Sequence, residues 1–181
     1  MLGTVLFCLI VGIADGDTLT ARCPGPDAAQ PYQQIRVRLA EIDAPESGQA
    51  FSRRSKQHLS KLCHRTQARL QVTDIDRYGR TVARVQCRGQ DANLEMVRAG
   101  LAWAYTTYLT DPAIARAEHQ AKEQRIGLFA DPHATPPWEY RRRPAATTAP
   151  STNTGPCLTG PRGGRYRIIN GQKRYGKSAG C

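Results

Sequence analysis

Arg36-Val37-Arg38-Leu39-Ala40-Glu41-Ile42-Asp43-Ala44-Pro45-Glu46 is the stretch on which the reading of this chain turns. Val37, Leu39 and the apolar Ile42 read as a buried strand, with Arg36 and Arg38 on the face opposite Val37 and Leu39. Pro45 stops the strand and biases Ala44 towards extended backbone, so Asp43 and Glu46 flank a rigid turn. One strand therefore delivers a guanidinium and two carboxylates to a single small region. These are parts for handling phosphate beside a hard cation: carboxylate oxygens for a metal, a planar fork for phosphate, a spare carboxylate as base.

Working outward, residues 5–14 form an apolar strand that Asp15-Gly16 turns, as a two-residue hairpin, into a second strand over 17–23. A third strand over 32–42 carries the central stretch. Ser47-Gly48-Gln49 opens a helix reaching Cys63, with Phe51, Leu59 and Leu62 on one face. Residues 68–73 alternate as a fourth strand with Leu70 and Val72 inward. A fifth, over 81–87, has Val82 and Val85 as its apolar positions, and Tyr78-Gly79 lies in the link. Asp91 caps a helix containing Leu94, Met96 and Val97, which Gly100 ends. Residues 101–108 read as an aromatic-rich extended piece, and Asp111-Pro112 starts a third helix running to about Arg125. Five short strands interleaved with three helices, without a βαβ repeat, fit a small OB-like barrel with helices packed outside. Residues 144–156, rich in Ala, Thr, Ser and Pro, read as a linker. It joins a body over 1–143 to a basic module over 157–181, expected to be a small disulfide-closed β-hairpin.

The formal net charge is +11, and residues 145–181 carry six Lys/Arg and no Asp/Glu. Such a balance points to a polyanionic partner, with nucleic acid ahead of an anionic membrane or cell envelope. The apolar residues 1–14 are too few to span a bilayer and no Lys or Arg precedes Arg22, so they read as the first strand. Six cysteines form no CxxC pair and have no His at metal-ligand spacing, which argues against zinc. They sort into three local pairs: Cys8 with Cys23, equidistant from the Asp15-Gly16 turn, Cys63 with Cys87, and Cys157 with Cys181. Three disulfides imply an oxidising compartment, hence a secreted, periplasmic or extracellular protein.

Asp15-Gly16-Asp17-Thr18 upstream, the central stretch, and Asp76-Arg77-Tyr78-Gly79-Arg80 downstream come in an order and spacing that closely resemble the staphylococcal-nuclease-like (thermonuclease) family, over about residues 9–140. The resemblance implies the same barrel and a Ca²⁺-dependent nuclease that cleaves DNA and RNA with little sequence preference, leaving 3′-phosphate ends. It implies one Ca²⁺ held by Asp17, Asp43 and the carbonyl of Ala44. Many members carry Thr where Ala44 stands, so a main-chain ligand survives here and a hydroxyl contact does not. Two carboxylates completed by backbone oxygen and water suit such a hard cation. Glu46 is then the general base, while Arg38 and Arg80 bind the phosphate and stabilise its transition state, a task for which the bidentate fork of Arg is better suited than Lys. Tyr78, Tyr105 and Tyr108 are candidates for stacking on bases or binding a terminal phosphate; for Tyr105, packing with Trp103 competes. A monomer is expected. The alternative is a catalytically silent nucleic-acid-binding barrel, which would be expected to have lost the carboxylates or arginines retained here.

Overall fold

A computed structural model describes residues 4–142, 156–161, 163–169 and 172–175. Five strands form the barrel: β1 (Val5–Ile13), β2 (Thr18–Pro24), β3 (Tyr32–Leu39), β5 (Gln67–Ile75) and β6 (Thr81–Cys87). They run in the order β3-β2-β1-β5-β6, and a parallel pairing of β3 with β6 closes the ring. Inward positions along these strands, Ile10, Leu19, Val37, Leu39, Leu70 and Val85, are fully buried, as period-2 alternation requires. Two expectations need correction: Val72, expected inward, is only partly buried, and so is Val82, one of the two apolar positions expected in β6, where Ala83 instead lies inward beside Val85. Strand parity forces that choice, because residues 82 and 85 lie on opposite faces.

The first hairpin is longer than the expected two-residue turn. Ile13 pairs with Leu19 and the Ala14 N–H donates to the Thr18 carbonyl at 2.9 Å, leaving Asp15, Gly16 and Asp17 in the turn. A bulge between Ile10 and Gly12 absorbs the extra residue, so Leu9 faces Arg22 and Cys8 reaches Cys23 as a disulfide. Gly16 is required by packing: a Cβ there would lie 1.8 Å from Ser55 Oγ and 2.8 Å from the Ala44 Cβ. A second disulfide joins Cys63 to Cys87.

The third strand ends at Leu39 and not at Ile42. Glu41 takes a left-handed backbone (φ 63°), and Ile42–Asp43 form a separate short strand, β4, paired with β8 (Trp103–Ala104). Helix α1 (Ser52–Cys63) starts five residues after Ser47, because Gly48 and Phe51 are both left-handed (φ 86° and 66°). After β7 (Gln90–Asp91), α2 (Ala92–Arg98) is capped by the Asp91 carboxylate, which accepts from the Leu94 N–H at 3.0 Å. Residues 101–108 are not extended throughout, since Thr106–Tyr108 close a 3₁₀ turn. Asp111 caps α3 (Pro112–Glu123), with Pro in the first turn. A fourth helix, α4 (Pro137–Arg142), follows where none was expected.

One buried amide joins the helices to the barrel seam. Asn93 accepts from the Val85 N–H at 3.0 Å and donates to the Ala40 carbonyl at 2.8 Å, pinning the exit of β3 beside β6.

The chain divides into two compact units, Met1–Arg142 and Arg143–Cys181. In the second, the expected hairpin is there as β10 (Arg165–Ile169) and β11 (Gln172–Tyr175), and β9 (Leu158–Thr159) adds a third antiparallel strand. Cys157 is disulfide-bonded, and the expected pairing with Cys181 lies outside the described residues. Among the described residues, no helix is long and apolar enough to cross a membrane.

Candidate active site

Strand register brings the separated motifs together. Thr18 pairs with Arg38 across β2–β3, and Arg38 pairs with Val82 across the closing β3–β6 seam. Asp17, immediately before β2, and Arg80, immediately before β6, therefore meet Arg38 at one end of the barrel. The Leu39 N–H donates to the Asp17 carbonyl at 2.8 Å and locks that corner. Pro45 and the short β4 then return Asp43, Ala44 and Glu46 over the same end. Together they line a cleft of about 1220 Å³ that also takes in Tyr78, Tyr105 and Tyr108.

Asp17 and Asp43 are 7 % and 2 % exposed. Asp17 accepts from the Ala44 N–H and from the Thr18 hydroxyl, each at 2.9 Å. Arg38 sits between the two carboxylates, donating to Asp43 Oδ1 at 3.2 Å with Asp17 Oδ2 at 3.9 Å. Burial pushes the Asp17 carboxyl up to about 6; Arg38 opposes that and Asp15 adds to it. Burial also raises Asp43, against the hydrogen bond from Arg141, and the neighbouring Asp17 charge acts with burial. Two carboxylates that resist ionisation so close together call for a cation. The oxygen-only donors suit a hard divalent ion, and among the described residues no His or Cys joins them in a metal-binding cluster. Asp17, Asp43 and the main chain at Ala44 thus fit the ion that the family resemblance implies.

Arg80 is positioned by the turn that precedes it. The Asp76 carboxylate accepts from the Tyr78 and Arg80 N–H groups, each at 2.9 Å, and from Arg80 Nε at 2.7 Å, while Gly79 supplies a left-handed residue (φ 73°). Asp76→Ala is expected to lower kcat by about tenfold to a hundredfold with little change in metal affinity, because Arg80 loses its orientation. Steady-state kinetics beside a metal titration checks this, and Asp76→Asn should recover part of the loss.

The tyrosines divide. Tyr78 and Tyr108 are 69 % and 65 % exposed on the rim, and Arg77 and Arg80 lie over the Tyr78 ring at 4.9 and 5.5 Å. Tyr105 stacks on Trp138 at 5.6 Å, with Arg38 5.7 Å from its ring centre, whereas Trp103 packs edge-on against Phe129 and Trp138. Tyr105 therefore supports a site arginine as well as lining the cleft.

Arg141 is the site residue that sequence reasoning missed. From α4 it donates to Asp43 Oδ2 at 2.6 Å and to Oδ1 at 3.3 Å, and a further bond runs to Glu46 Oε1. Gln49 holds the same turn: its Oε1 accepts from the Glu46 N–H at 3.0 Å and its Nε2 donates to the Thr135 carbonyl. The only signal available was a run of three arginines after Pro136-Pro137-Trp138, and nothing local in it pointed to residues nearly a hundred positions earlier.

Two buried carboxylates, two arginines and the Glu46 carboxylate, gathered at one end of a closed five-stranded barrel, suit the chemistry of a phosphodiester hydrolase. Residues 36–131 match the family model described as staphylococcal nuclease homologue. The chain is 46% identical to a Haemophilus influenzae protein named an uncharacterized endonuclease, over 75% of this chain and 73% of that protein. It is 42% identical to a Shigella flexneri micrococcal nuclease, over 74% of this chain and 79% of that one. An Escherichia coli protein named an uncharacterized endonuclease is 35% identical over 74% of this chain and 84% of its own length. The chain belongs to the staphylococcal nuclease homologue family and is a nuclease.

Proposed function

We propose that this chain is a Ca²⁺-dependent phosphodiesterase that cleaves DNA and RNA with low sequence specificity, leaving 3′-phosphate ends. The observation that carries the reading is the convergence of Asp17, Arg38, Asp43, Glu46 and Arg80 on one cleft from five separate chain positions.

Asp17, Asp43 and the Ala44 carbonyl would hold one Ca²⁺. When bound, the ion supplies Lewis-acid polarisation of the phosphate and neutralises its charge. Arg38 and Arg80 clamp the phosphate oxygens and stabilise the charge that grows there at the transition state. Glu46, the most accessible of the three carboxylates, orients a water and takes its proton as that water attacks phosphorus. The bond from phosphorus to the 5′ oxygen breaks, that oxygen leaves as a hydroxyl with a proton from solvent, and the phosphate stays on the 3′ oxygen. Tyr78 and Tyr108 on the rim offer faces for bases to stack on, and Tyr105 shores up Arg38 from beneath. None of these contacts reads a base edge, which accounts for low sequence preference. The disulfides accord with a working place outside the reducing cytoplasm.

The test is plasmid and RNA cleavage with added Ca²⁺ and with chelator, followed by end-group analysis. Cleavage confined to the Ca²⁺ arm, with 3′-phosphate termini, supports the reading. Binding without cleavage in every metal tested would return the chain to a silent nucleic-acid-binding barrel.

The second unit adds to substrate affinity. Arg167 faces Arg174 directly across β10–β11, and Arg165, two positions along, shares their face. Three arginines gathered on one face of a small sheet suit contact with a phosphate backbone. Arg165→Glu with Arg174→Glu is expected to weaken DNA binding about tenfold at 0.15 M salt, flatten its salt dependence, and leave kcat unchanged. Fluorescence anisotropy across a salt series checks it.

A further inference from the structure

Asp43 is almost wholly buried, and both of its oxygens are taken by arginine: Oδ2 by Arg141, Oδ1 by Arg38 and Arg141 together. Arg141 also bridges to Glu46. The carboxylate assigned to the cation and the carboxylate assigned to the water are thus tied to one guanidinium. That guanidinium comes from α4, a helix of only six residues. Trp138 of the same helix stacks on Tyr105 at 5.6 Å and packs edge-on against Trp103 at 6.3 Å. The described contacts between α4 and the site are thus a charge clamp and these aromatic contacts.

A divalent ion and a guanidinium drawn to the same buried carboxylate compete for it, because the two cations repel at close range. Arg38 contacts Asp43 through Oδ1, which leaves Oδ2 and its 2.6 Å partner Arg141 as the position in contention. We propose that Arg141 is an internal counter-cation that holds Asp43 and Glu46 in the metal-free protein, and that a divalent ion takes Asp43 by displacing it. Cation binding and the docking of α4 then oppose each other, and Glu46 is released for its water only once the ion is in place. By reciprocity, whatever loosens Arg141 tightens the ion, and the ion loosens α4. The clamp keeps the buried Asp43 and the partly exposed Glu46 compensated when no ion is present, and it makes the base available only to a loaded site. The inference rests on the assignment of Asp17 and Asp43 as cation ligands.

The experiment is calorimetric titration of the full chain and of Arg141→Gln with Ca²⁺ alone, without nucleic acid, alongside melting in chelator. Arg141→Gln is expected to bind Ca²⁺ about tenfold more tightly, an ordinary size for coupling between two ligands of one site. It is also expected to melt at a lower temperature than the native chain in chelator, where the clamp is intact only in the latter. Arg141→Lys, with a point charge unable to bridge both carboxylates, falls between the two. Hydrogen exchange supplies an independent readout: in the native chain, Ca²⁺ should speed exchange of the α4 amides while slowing those around Asp17. Unchanged or weaker Ca²⁺ affinity in Arg141→Gln, or α4 amides that slow on loading, would overturn the clamp while leaving the cation site standing. Failure of both chains to bind Ca²⁺ would sink the cation site and the clamp together.

Discussion

Glu46→Gln is expected to lower kcat by about a thousandfold at saturating DNA and Ca²⁺, while DNA binding measured in chelator stays within about twofold. The substitution keeps side-chain volume and one hydrogen-bond acceptor, so the Pro45 turn and the Gln49 bond to the Glu46 N–H should survive. What disappears is the ability to accept a proton from the attacking water. A positioned general base contributes about 10²–10⁴ in rate, which sets the size of the loss. The charge removed also weakens the tie to Arg141, so Ca²⁺ affinity should rise slightly even as turnover collapses. Single-turnover cleavage with a parallel Ca²⁺ titration separates the two effects. A fall in kcat of less than about tenfold would mean that Glu46 positions the water without taking its proton.

Asp17→Asn is expected to act with opposite sign on metal binding and on stability. Ca²⁺ affinity should fall by about a hundredfold or more, since one of two carboxylate ligands is neutralised. In chelator the variant should be more stable than the native chain at pH 7, by about 2 kcal/mol. The sign follows from burial, which raises the folded Asp17 carboxyl to about 6 from an ordinary 3.8. Between those values the folded chain holds a proton that the unfolded chain has released. Stability in chelator therefore falls as pH rises from about 4 to about 6, and the loss persists above that range. Asn carries no such liability: its single oxygen can still accept from the Ala44 N–H, and its Nδ2 can donate to Thr18 Oγ1 once that hydroxyl turns. Denaturant titrations of both chains at pH 4, 5, 6 and 7 should show the native chain losing stability across that span and the variant losing less. Equal pH slopes in the two would mean that Asp17 ionises in the folded state as easily as in the unfolded.

The central motifs were legible because each is local and strand register does the rest. Val37 and Leu39 fix which face of β3 is buried, so Arg38 must face the cleft, and the Asp76 turn delivers Arg80 wherever β6 begins. Cys8 and Cys23 could be paired by counting from the turn, although two deviations cancelled: one more residue in the turn and one bulged residue in β1. The bulge left no mark in a continuous apolar run. The late start of α1 was hidden because Phe51 adopts a left-handed backbone that its type disfavours, held there by surroundings the sequence does not display. Nothing local marks Asn93, and only the folded seam shows its bonds to Val85, Ala40 and Ala83. Arg141 was out of reach for the same reason, since its partners lie 98 and 95 positions away.

Both staples of the barrel unit sit away from the cleft. Cys23 lies near the end of β2 and Cys87 at the end of β6, whereas the cleft is built where those two strands begin. A thiol reagent should therefore weaken the foot of the molecule while its mouth keeps its shape. Molecules whose barrel remains folded after reduction should turn over saturating substrate at the native rate, so that loss of kcat in a reducing medium tracks the fraction unfolded.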